Sequence, residues 1–72
     1  MKLHEAIQEV IQKNGKALTC SEIAKQINTL ELYTRKDGQL VPASQISARV
    51  KNYPQFFIVD TDATPQTVML KR

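Results

Sequence analysis

The stretch PASQISARVKNYPQFFIVD, residues 42–60, decides the fold because its apolar spacing changes character halfway along. Setting Ile46 at zero on a helical wheel of ~100° per residue places Val50, Ala43 and Tyr53 within about 60° of it, a single apolar face. Pro42 suits the first position of a helix, where its missing amide hydrogen costs nothing. Tyr53-Pro54 ends that helix, since a residue before proline is pushed out of helical geometry. A helix from Pro42 to about Asn52 is therefore expected. Phe56 to Asp60 then reads as a β-rich run, with Thr67 to Leu70 as its partner and Thr61-Asp62-Ala63-Thr64-Pro65-Gln66 as a short polar tip. The expectation is a two-stranded hairpin. Phe56 and Phe57 are adjacent and point to opposite sides of a strand, so Phe57 is expected in the core and Phe56 partly exposed, either as a contact for a partner domain or, the favoured reading, as a cover for the end of the preceding helix.

Upstream, Leu3, Ala6, Ile7, Val10 and Ile11 recur at helical spacing, and Asn14-Gly15 supplies a stop. A short extended piece, Ala17-Leu18, leads to Thr19 and Glu22, a T-x-x-E pattern that caps a helix start. Ile23, Ala24, Ile27 and Leu30 form the next apolar stripe, so this helix should run from about Cys20 to about Thr29. Residues 31–41 lose the periodicity, and Asp37-Gly38 marks a turn within them. The order helix, extended piece, helix, helix, hairpin predicts an α+β fold, mainly helical. In detail it is a three-helix winged helix-turn-helix with a C-terminal two-stranded β-hairpin, a single domain over residues 1–72.

Seventy-two residues suffice for one domain and leave little room for a buried catalytic cleft. No apolar run approaches the roughly 18 residues that span a bilayer, and the start Met1-Lys2-Leu3-His4-Glu5 carries no signal-peptide core. The lone Cys20 can make no internal disulfide, so the expectation is an intracellular, cytoplasmic protein with no membrane partner. Ending at Arg72, just past the second strand, fits a complete small protein and a domain boundary equally. One cysteine and one histidine, His4, form no metal cluster of recognisable spacing, and Cys20 at a helix start, where the dipole can lower a thiol pKa, lacks a nearby base. Gly-rich phosphate loops and nucleophile motifs are missing too, so no enzyme, catalytic residue, metal or cofactor is expected.

The net charge of +3 is modest, but its distribution is informative. Arg35, Lys36, Arg49 and Lys51, set against Asp37, account for all of it, while the other charges cancel. The segment 35–51 is thus a candidate anion-facing surface. On the helix opposite Ile46 lie Lys51, Ser44, Ala48, Asn52 and Gln45, flanked by Arg49 and Ser47. A DNA major groove admits a helix whose side chains are short where backbones approach and hydrogen-bonding around them. Ser44 and Ala48 meet the first need; Gln45, Arg49 and Asn52 meet the second, as base-facing groups. Lys51 reads as a phosphate contact, as do Arg35 and Lys36 beside the Asp37-Gly38 turn. A solvated polar face and a basic turn are the competing readings of the same residues. Tyr33, in the same connection, can donate a hydrogen bond to a phosphate or pin the loop to the core, and packing is the favoured reading.

The pieces A-L-T-C-S-E-I-A-K-Q-I, L-Y-T-R-K-D-G and V-P-A-S-Q-I-S-A-R-V-K-N-Y-P-Q-F-F resemble the HARE-type helix-turn-helix family over roughly residues 3–59. That resemblance implies a winged helix and DNA binding. It also implies a bacterial setting in transcription regulation or restriction-modification, since members occur fused to restriction endonucleases and chromatin regulators and include the amino-terminal domain of a bacterial RNA polymerase delta subunit. The sequence departs from the family at Leu40-Val41-Pro42, where many relatives carry Gly-Lys-Thr-Pro, so no role of that lysine carries over. The hairpin tip holds Asp62 and no cation, which removes basic wing contacts.

These readings predict a DNA-binding module that targets or regulates together with a second copy or a fused or partner protein. Helix 42–52 is its recognition helix, double-stranded DNA its partner and the nucleoid its place. The alternative is a protein-interaction module docking on a polymerase or nuclease partner through that helix or an edge of the hairpin.

Overall fold

The computed structural model describes residues 2–71. Helix α1, Leu3–Asn14, buries the five apolar positions of its stripe and ends where Gly15 turns left-handed at φ 69°, its N–H donating to the Ile11 carbonyl. Only a residue without Cβ takes that φ at little cost. At the other end the Lys2 N–H donates to Glu5 Oε1, which satisfies one amide the helix leaves free.

Strand β1, Leu18–Thr19, leads directly into α2, Cys20–Leu30, whose start is capped by Thr19 Oγ1 accepting from the Glu22 N–H at 3.1 Å. The T-x-x-E reading thus locates the helix correctly. Helix α2 closes in a Schellman pattern, with Glu31 N–H donating to the Asn28 carbonyl and Leu32 N–H to that of Ile27. Glu31 takes the left-handed position, at φ 54°, that glycine usually fills. Ile23, Ala24 and Ile27 are buried as expected, but Leu30 is 43% exposed. It stands at the end of the helix, beyond the reach of the core.

The connection from α2 folds back on it. Gly38 N–H donates to the Arg35 carbonyl, and Gln39 N–H to Asp37 Oδ1, so Asp37-Gly38 forms the turn that was expected. Asn28 then grips the chain: its Nδ2 donates to the Val41 carbonyl at 3.1 Å, and its Oδ1 accepts from the Val41 N–H at 2.9 Å. Helix α3, Ala43–Lys51, follows at once. Pro42 stands one residue before the helix rather than at its first position, with ψ at 158°. Its carbonyl accepts from the Gln45 and Ile46 N–H groups, so it begins the ladder from outside.

Strands β2, Phe57–Asp60, and β3, Thr67–Leu70, pair antiparallel with Phe57 opposite Leu70 and Asp60 opposite Thr67. The sheet has three strands, not the two expected, because β1 adds to β3 with Leu18 opposite Val68, giving the order β1-β3-β2. Two residues are too few to show a period, and what makes them a strand is a partner fifty residues away in sequence. Phe56 falls in the turn before β2, its N–H donating to the Tyr53 carbonyl. Its ring joins those of Tyr53 and His4 in a stack, with centroids 4.3 Å apart for His4 and Tyr53 and 5.8 Å for Tyr53 and Phe56. Phe57 is buried. The described residues fold as a small α+β unit of three helices and one antiparallel sheet around a wholly apolar core.

Candidate nucleic-acid interface

Helix α3 is held from inside by Ile46 and Val50, both fully buried, with Ala43 and Tyr53 half-buried beside them. This orientation dictates what faces outward. Ser44, Ala48, Lys51 and Asn52 are exposed, and Gln45, Ser47 and Arg49 are half-exposed. The six residues predicted on this helix therefore share one accessible surface, and α3 carries no acidic side chain to oppose an anion there. Arg49 and Lys51 also sit in the last turn, where cations complement the partial negative charge of a helix C-terminus. That role fixes their place without any ligand.

The start of α3 borders a cleft of about 620 Å³ between the first turn of α2 and the loop joining β2 to β3. Ser44 and Ser47 line it from α3, Thr19 and Ser21 from α2, and Pro65 and Gln66 from the loop. The hydroxyls and amide gathered here can hydrogen-bond phosphate or sugar oxygens, while Glu22, on the same wall, repels phosphate. Thr19, Ser21 and Gln66 did not emerge as site residues from the sequence. The cap motif locates the start of α2 along the chain but not what lies across from it. Cys20 is half-buried on this wall. Burial pushes its thiol pKa up against the opposing charge of Lys51, contrary to the lowering that a helix dipole suggests.

Arg35 and Lys36 lie apart. Neither lines the cleft, and the Arg35 guanidinium is held by Asp37 at 3.1 Å. Their loop packs at the far end of α2, where Tyr33, half-buried against the core, closes a small cavity of about 140 Å³ with Asn28 and Leu40. Among the described residues no group of three His, Cys, Asp or Glu side chains converges as a metal site, and no helix is long and apolar enough to cross a membrane. Comparison of the chain with family models, with curated proteins and with solved structures finds no significant match.

Proposed function

We propose that the chain is a DNA-binding winged-helix module that lays α3 in the major groove and serves to target or regulate, together with a second copy or a partner protein. The observation that carries this reading is the outer face of α3, where Ser44, Ala48, Lys51 and Asn52 are exposed without an acidic neighbour on the helix. The connectivity supports it: α2 and α3 adjoin, and a hairpin flanks their cleft, as in a winged helix-turn-helix of the HARE type. Gln45, Arg49 and Asn52 are then the base-facing groups, with Ser44 and Ala48 at the closest approach and Lys51 on a phosphate. Arg35 contributes less than its charge suggests, since Asp37 already answers it. Arg49 and Lys51, the two cations on this helix, give a log–log salt slope of about −1.8, at roughly 0.9 per phosphate, so a lone copy binds weakly.

The test is fluorescence anisotropy on labelled mixed-sequence duplex over about 20 to 200 mM salt, beside an Arg49→Glu, Lys51→Glu variant. Micromolar binding that weakens with salt and is lost in the variant supports the proposal. Absence of binding at the lowest salt overturns it and transfers the assignment to protein docking. That second reading has its own support in the sheet. Ile58 and Met69 face each other across β2 and β3, 50% and 46% exposed, beside the open edge of β2.

A further inference from the structure

Lys13, Lys16 and Lys25 lie within one short stretch of chain whose only acidic residue is Glu22, and the fold sets all three on one surface. They border an open groove of about 640 Å³ between the C-terminal end of α1, the approach to β1 and the outer face of α2. The volume falls within the range of roughly 300–1,000 Å³ over which ligands are held. Leu30, 43% exposed, gives the groove its apolar contact beside the buried Leu18, and Glu22 is its single acidic group. None of the three lysines makes an ion pair among the described residues.

We propose that this groove is a second interaction site, separate from α3, that takes an acidic peptide segment carrying an apolar anchor. The choice of partner follows from the lining. Three unpaired ammonium groups call for carboxylates, and the exposed Leu30 gains only from an apolar side chain that covers it. A nucleic-acid backbone would answer the lysines and meet Glu22 as a carboxylate does, but it would leave Leu30 wet.

The amides on the groove wall match a peptide further. Asn14 Nδ2 donates to the Val10 carbonyl at 2.7 Å and to Gln26 Oε1 at 2.8 Å, while Gln26 Nε2 donates to Asn14 Oδ1 at 3.3 Å. Gln26 thus keeps one N–H and one lone pair uncommitted within the protein, a donor and acceptor pair that a single peptide group can meet. This groove and the cleft beside α3 have only Glu22 in common, so the two surfaces can be altered separately.

The proposal is tested by titrating the isotope-labelled chain with two synthetic peptides of about a dozen residues, followed by amide chemical shifts. One alternates acidic residues with leucines at helical spacing; the other is identical except that serines replace the leucines. Saturable shifts at Lys13, Lys16, Lys25, Leu30 and the Gln26 side-chain amide are expected with the leucine peptide. Affinity should fall by about tenfold or more with the serine peptide and in a Lys16→Glu, Lys25→Glu variant, as expected when like charges are juxtaposed or the anchor is lost. Both lysines are exposed, so the variant should keep the parent's dispersed spectrum, and its duplex affinity is compared with the parent's at about 150 mM salt, where a Debye length of ~8 Å screens the remote change of charge. Equal binding of the two peptides, shifts confined to other surfaces, or no shifts at millimolar peptide would each overturn it. So would duplex DNA shifting the groove amides.

Discussion

Replacing Asn28 by alanine should weaken the protein out of proportion to the size of the side chain. Its amide is the part-buried clamp on Val41, one bond to the carbonyl and one from the N–H, immediately before the chain turns into α3. Alanine removes both partners and leaves two backbone groups to find water beside a side chain that is 3% exposed. At a net ~0.5–1.5 kcal/mol for each hydrogen bond, the loss is ~1–3 kcal/mol. A chain of this length has a total stability of about 4–11 kcal/mol, from ~0.05–0.15 kcal/mol per residue, so the clamp is a large share of it. In a domain of this size each kcal/mol moves the melting temperature by about 4–8 °C, which puts the expected fall at roughly 5–20 °C.

Thermal and urea unfolding followed by far-UV circular dichroism would measure this, with Thr29→Ala, an exposed neighbour, as control. The urea midpoint should drop at unchanged slope. Asn28→Asp should lose at least as much at neutral pH, because it keeps the acceptor but sets a second oxygen against the Val41 carbonyl. A fall of less than about 2 °C for Asn28→Ala would refute the reasoning, since it would mean that water satisfies Val41 as well as the amide does.

The two left-handed helix ends should respond in opposite directions. Gly15→Ala at φ 69° meets no atom within 4 Å, so only backbone strain opposes it, a loss of about 1 kcal/mol. Glu31→Gly at φ 54° should gain roughly 0.5–1 kcal/mol, and a destabilised variant in urea titration would contradict the Schellman assignment. Glu5 offers a pH test: accepting the Lys2 N–H holds its carboxyl below the usual carboxylate range. A group whose folded pKa is lowered stabilises above its unfolded pKa and loses that contribution as pH falls through the folded value. The advantage of the parent chain over Glu5→Gln should therefore be present at neutral pH and vanish on acidification. An advantage unchanged down to the most acid pH at which the fold survives would exclude the interaction.

What the sequence determined by itself is the set of local elements. Helical spacing of Leu3 to Ile11, the Thr19–Glu22 cap, the Asp37-Gly38 turn and the halt at Tyr53-Pro54 all act within a turn or two of chain, so they are written in neighbouring residues. The polar outer face of α3 was legible for the same reason: once Ile46 and Val50 are known to be buried, helix geometry places Ser44, Ala48 and Lys51 opposite. Only the tertiary structure decided which of these elements meet. It made Leu18–Thr19 a strand by setting Val68 beside Leu18, and it set the His4 ring on Tyr53 from the other end of the chain. By pairing Asn28 with Val41 it also held the connection that leads into α3. It kept Arg35 and Lys36 out of the cleft that Ser44 and Ser47 border, although in sequence they lie close to α3, and set Lys13 and Lys16, around the end of α1, beside Lys25 on α2. Charge read along a chain averages over segments that folding separates. The field a partner meets depends on distances through space, and those follow from how the apolar stripes pack.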